Sequence, residues 1–93
     1  MSLKERIEYE RKMARLVTTI REEVAVCGLT EVQIQVDNGR PELTSGNHKV
    51  KIRSPAMGTI EFEIAHAWFD GRDRRSDDNL RFAARQAMRA LSR

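Results

Sequence analysis

Ninety-three residues suit one domain, 1–93, built around one core. With 40% apolar and 33% charged residues, the chain is too apolar for a disordered tail, and its outer faces must be strongly solvated. The net charge of +3 is unevenly placed: residues 72–93 carry seven arginines against three aspartates, while residues 28–71 are net acidic, so a polyanionic partner is sought at the C-terminal end.

The spacing predicts a first helix over 3–27. Tyr9, Met13, Leu16, Val17, Ile20, Val24 and Cys27 recur at steps of three and four, which makes one apolar stripe. Ser2 and Glu5 stand at capping-box spacing, and Gly28 supplies the left-handed stop. The first nine residues offer only Leu3, Ile7 and Tyr9 for burial. A helix of this length spans about 37 Å and outruns a sheet of six-residue strands. Residues 1–9 are therefore expected to project, or to meet a protein partner or a second copy through those three side chains.

Three strands follow. In 30–37, Val32, Ile34 and Val36 face inward, and Glu31, Gln33, Gln35 and Asp37 outward. Asn38-Gly39 signals a turn, and a polar loop runs to Asn47. In 48–53, Val50 and Ile52 point inward, and Lys49, Lys51 and Arg53 outward. In 59–64, Ile60, Phe62 and Ile64 point inward, and Thr59, Glu61 and Glu63 outward. The five-residue connection Ser54–Gly58 between the last two argues for a hairpin. Cross-strand pairing of the outward lysines and Arg53 with Glu61 and Glu63 leaves that sheet surface nearly neutral and without the aromatics a base-stacking platform needs.

Residues 65–75 read as a loop, in which Trp68 and Phe69 lid the core. Ser76 or Asp77 then caps a second helix to about Ser92, with Leu80, Ala83, Ala84, Ala87, Met88 and Leu91 as its stripe. The expected class is α+β, in the order α-β-β-β-α. One antiparallel three-stranded sheet carries both helices on its apolar face.

A lone cysteine, Cys27, excludes an internal disulfide and fits a reducing, cytoplasmic setting. One cysteine with two histidines argues against structural zinc, and no cofactor is expected. No apolar run approaches membrane-spanning length, and the N-terminus lacks a signal-peptide core.

Two features carry candidate chemistry. Arg81, Arg85, Arg89 and Arg93 stand four apart and form one ridge on the last helix, preceded by Arg72, Arg74 and Arg75. Arginine forks suit phosphate, so the ridge reads as a nucleic-acid footprint. It reads equally as a solvated face, or as partners for Glu8, Glu10, Glu22 or Glu23 on the first helix. The second feature is Ser45-Gly46-Asn47-His48-Lys49, a loop running into a strand. Gly46 would let the backbone approach a phosphate, Lys49 adds charge, and His48 suits general acid–base work. The bland alternative is that His48, sharing parity with Val50 and Ile52, is the wetted rim of the core. His66 continues the parity of Ile64 and is expected to pack at the strand end.

The element order, the Gly46-Asn47-His48 approach to the second strand and the basic last helix resemble the HicA-type toxins and HicA-like phage and prophage proteins. That resemblance implies a double-stranded-RNA-binding-domain-like fold and an mRNA interferase whose catalytic residue is His48, with Gly46 shaping its loop. The chain differs from the family pattern in its long first helix, its long loop from Asp37 to Asn47 and the Ser76-Asp77-Asp78-Asn79-Leu80 start of its last helix. The expected function is nucleic-acid binding, of RNA more than DNA, with an mRNA interferase activity through His48 that is weak or lost. The alternative is a phage accessory protein that acts by protein–protein contact through its first helix without catalysis.

Overall fold

Leu16, Ile20 and Val24 are wholly buried at helical spacing, and they seat the first helix, α1 (Leu3–Val26), on the sheet. The structure, a computed structural model, describes residues 2–37, 47–71 and 74–91. Strands β1 (Gln33–Val36), β2 (His48–Ser54) and β3 (Gly58–Ile64) follow α1; then come a short helix α2 (His66–Asp70) and α3 (Ser76–Leu91). The sheet is antiparallel in the order β1-β2-β3. Its inward side chains join those of α1 and α3 in one core: Val36, Val50, Ile52 and Ile64 meet Leu16, Ile20, Val24, Leu80, Ala84 and Met88. The expected α+β order with both helices on the apolar face is therefore present.

The ends of α1 follow its sequence signals. The Ser2 hydroxyl accepts from the Glu5 N–H at 3.2 Å, and Gly28 takes a φ of 93° just past the cap. Cys27, expected on the stripe, is exposed at the C-cap instead, because the helix ends before its side chain can turn inward. Tyr9, expected to project or to meet another chain, is 2% exposed and belongs to the core. Of the three side chains at that end, Leu3 and Ile7 stand out, at 75% and 56%.

The strands are offset from their expected bounds. β1 begins at Gln33, although Val32 is still buried and its carbonyl accepts from Arg21 Nη1. β1 ends at Val36 because Asp37 adopts a φ of 53°, a left-handed turn that aspartate tolerates better than most residues. The hairpin loop is three residues, not five, since Ser54 and Gly58 pair with each other. Gly58, at φ 99°, supplies the positive φ such a loop needs. Ile34, Ile60 and Phe62 are half-buried rather than buried. They lie on the two edge strands, while the central β2 holds Val50 and Ile52 at zero exposure. On the outer face Lys51 meets Glu61 at 3.9 Å, and Lys49 stands opposite Glu63.

Residues 66–70, expected as loop, form α2. Phe69 is wholly buried and Trp68 packs half-buried against the core. Ser76 is the first residue of α3, and its hydroxyl donates to the Ala67 carbonyl. Leu80, Ala84, Ala87 and Met88 are buried, whereas Phe82 is 60% exposed. The Asn38-Gly39 turn, most of the loop to Asn47, Ser92 and the Leu91 side chain lie outside the described residues.

Candidate functional site

Register brings the two histidines together. His48 opens β2 opposite Ile64 at the end of β3, so His66, two residues further, is its diagonal neighbour on the inner face. His48 is wholly buried. Its Nε2 lies 2.8 Å from His66 Nδ1, and its Nδ1 lies 2.7 Å from Asp37 Oδ2. The Tyr9 hydroxyl donates to the same Oδ2 at 3.0 Å, and the Lys49 N–H donates to Oδ1 at 3.1 Å. The left-handed turn at Asp37 makes this convergence: it swings the carboxylate from the expected outer face to the inner one.

The rings form a stack above this chain. The Phe69 ring lies 4.2 Å from His48 at 25°, His66 lies 5.1 Å from His48 at 24°, and Tyr9 lies 5.2 Å from Phe69. α2, which carries both His66 and Phe69, is fixed against α1 by two cations. Lys12 pairs with Asp70, and Arg15 pairs with Asp77 at the start of α3 while donating to the carbonyls of Trp68 and Phe69. Gly71 closes α2 at φ 75° beside the Arg15 guanidinium.

Hydrogen-bond roles follow from the carboxylate, which only accepts when ionised. His48 must therefore carry its proton on Nδ1, a tautomer assigned from the network. When both imidazoles are neutral, His48 Nε2 accepts from His66 Nδ1–H. The arrangement is a hydrogen-bonded Asp–His–His relay. It is anchored in the core at Asp37 and His48 and half-buried at His66. His48 itself, at zero exposure with both ring nitrogens engaged, reaches the surface through His66 and is not the wetted rim that parity alone suggests.

The basic residues are divided. Arg85 donates to Glu23 at 2.8 Å, the carboxylate side chain being 8% exposed, and Arg81 meets Glu22 at 3.5 Å. Two members of the ridge thus bind α3 to α1, which is the second of the readings left open above. Both remain partly in water, at 50% and 42%. Arg74, Arg75, Arg89 and Lys49 are exposed, the last next to the relay. Gly46, Arg72 and Arg93 lie outside the described residues. Among the described residues no group of three His, Cys, Asp or Glu is placed to hold a metal ion, and no helix is long and apolar enough to cross a membrane.

Spacing alone does not mark Asp37 or Tyr9 as site residues, and it places His66 only at the strand end. The hairpin register was the available signal for His66, because a short loop fixes which residues oppose one another. No family, curated protein or solved structure matches the chain.

Proposed function

We propose that this chain is a cytoplasmic nucleic-acid-binding domain of the HicA-like kind, that its nucleic acid is RNA, and that it cleaves RNA by acid–base chemistry at the relay end of the sheet. One observation carries the reading: the continuous Asp37–His48–His66 chain. Imidazole is the side chain suited to proton transfer near neutrality, and a carboxylate-backed pair with one member near solvent is arranged to move protons. The charge distribution supports the choice of polyanion. Arg74 and Arg75 lie exposed between α2 and α3, and Arg89 lies exposed on α3. The outer sheet face, with Lys51 answered by Glu61, is the poorer platform.

The test is a titration of double-stranded RNA, single-stranded RNA and DNA at two salt concentrations, followed by analysis of the bound RNA for cleavage. Binding that falls steeply with salt, because neutralised phosphates release counterions, with cleavage confined to RNA, is the expected result. A protein that neither binds nor cleaves RNA at low salt overturns it.

Leu3 and Ile7, exposed on the first turns of α1, favour the second reading: a phage accessory protein that contacts a protein partner or a second copy through α1. A concentration-dependent mass in light scattering that Leu3→Ser/Ile7→Ser abolishes, with RNA left unbound, is the result that reading requires.

A further inference from the structure

The two edges of the sheet are built differently. β3 exposes Glu61 and Glu63 and has α3 along it, the charged and covered kind of edge that resists a further strand. β1 has neither charge nor proline from Val32 to Val36, and among the described residues its hydrogen-bonded neighbour is β2 alone. That stretch, Val32-Gln33-Ile34-Gln35-Val36, reads the same in both directions, so it is complementary to itself. We infer that β1 pairs with β1 of a second copy, antiparallel about a two-fold axis at Ile34, and that two three-stranded sheets become one continuous sheet. The inference concerns assembly and stands apart from the RNA-cleaving reading.

About that axis Ile34 faces Ile34 of the second copy, Val32 faces Val36, and Gln33 faces Gln35. The buried and half-buried side chains meet on the inner face. The exposed glutamines meet on the outer face, where amides donate to and accept from one another. A slip of one residue would set Ile34 beside glutamine and turn the second copy's helices to the opposite face. The left-handed turn at Asp37, φ 53°, ends the pairing at Val36.

α1 supplies the rest of the interface. A groove of about 310 Å³ between α1 and β1 is lined by half-buried Met13, Val17 and Ile34 and by exposed Arg6 and Glu10. Tyr9 reaches Asp37 and Arg21 reaches Val32. α1 therefore runs antiparallel to β1, about 18 Å of helix level with about 17 Å of strand. Met13 and Val17 lie midway, near the axis, and Glu10 of one copy lies level with Arg21 of the other. Glu10, Met13, Val17 and Arg21 follow at steps of three and four, which makes one stripe of the helix. Opposite charges thus meet on each side of an apolar centre, the polar rim and apolar core of a protein interface. The contact is isologous, as a two-fold dimer requires. Glu10 meets Arg6 at 3.5 Å in an exposed pair, an interaction of small value that is readily exchanged. Arg21 is exposed and gives Nη1 to the Val32 carbonyl, so its fork keeps donors for a carboxylate.

Sedimentation velocity on the full chain tests the dimer. Wild type should associate to twice its mass as concentration rises. Glu10→Arg should weaken the association at least about tenfold, because it sets like charges together on both sides of the axis. Glu10→Arg/Arg21→Glu should restore it to within about threefold. Both side chains are exposed, so the fold survives the changes. Leu3→Ser/Ile7→Ser, beyond the paired stretch, should leave the dimer in place. The register has its own readout. In a Cys27→Ser background, Gln33→Cys/Gln35→Cys should link two chains covalently on mild oxidation, since opposed Cβ atoms lie about 5 Å apart, whereas Gln33→Cys alone should not. A strict monomer up to about 100 μM overturns the inference and leaves the edge to a strand of another protein. A dimer that Glu10→Arg does not weaken and Leu3→Ser/Ile7→Ser abolishes also overturns it, as does a Gln33→Cys/Gln35→Cys chain that does not cross-link.

Discussion

Asp37, with its side chain 11% exposed, accepts hydrogen bonds from the Tyr9 hydroxyl, the His48 ring and the Lys49 N–H. The three donors belong to α1 and to the start of β2, so one carboxylate ties the helix to the strand at the relay end. Tyr9→Phe removes one of these bonds without opening a cavity, since the ring still packs on Phe69. It should cost about 1 kcal/mol in urea-induced unfolding, the net worth of a typical hydrogen bond. Asp37→Ala removes the acceptor of all three bonds at once, and the wholly buried His48 ring loses its carboxylate partner, a cost of about 1–3 kcal/mol. It should therefore destabilise the protein clearly more than Tyr9→Phe does. Equal effects would show that the carboxylate is not the hub. Asp37→Asn keeps an acceptor and tolerates the left-handed φ, which is why it is the milder probe of the relay.

α1 joins the rest of the protein along two unlike stretches. Its first two turns carry the exposed Leu3 and Ile7, and Arg6 and Glu10 form an exposed pair at 3.5 Å, an interaction of small value. Deleting residues 1–7 should therefore leave stability within about 1 kcal/mol, whereas Tyr9→Ala should cost about 3–5 kcal/mol, as removal of a buried aromatic ring does. A large loss on deletion would mean that the overhang is held by contacts it does not show. Further along, α1 meets α3 through Glu22–Arg81 and Glu23–Arg85. The two pairs have the same chemistry and different burial. Arg85→Gln leaves the Glu23 carboxylate, 8% exposed, without its cation and should cost about 1–3 kcal/mol. Arg81→Gln breaks a pair exposed at both ends and should cost less than about 1 kcal/mol. Guanidine or urea melts of the two single variants decide it, and the reverse order would contradict the burial argument.

The whole molecule measures 41 × 26 × 19 Å, and its long dimension matches α1, whose 24 residues span about 36 Å. Its charge is concentrated in the last quarter of the sequence, and there Arg81 and Arg85 are held to α1 while Arg74, Arg75 and Arg89 are exposed. If RNA binds this side, Arg74→Gln/Arg75→Gln/Arg89→Gln should weaken binding to all RNA sequences alike and flatten the slope of log K against log salt by about one unit per lost phosphate contact. Arg85→Gln, which removes the cation from the buried Glu23, should lower the melting temperature with a smaller effect on the salt slope. Binding unaffected by the triple change would move the RNA interface elsewhere.

The sequence by itself determined the two long helices, the three strands and the face each of them buries. Periods near 3.6 and of two are local signals, written wherever an element has one side against a core. Val50 and Ile52 were legible in this way, as were Leu16, Ile20 and Val24. The relay was not, because its partners are linked by position in space rather than by spacing. Tyr9 reaches Asp37 across 28 residues, and Arg85 reaches Glu23 across 62. Asp37 reads as an outward strand residue until its left-handed turn is known, and Glu23 reads as a solvated charge until Arg85 arrives beside it. α2, five residues long, is too short for helix nucleation to favour it in isolation. It forms because the Lys12–Asp70 pair and Arg15 fix it against α1, and because Phe69 fills the core. A buried polar group is tolerable only with its partner in place, and which partner is in place was decided by the tertiary structure alone.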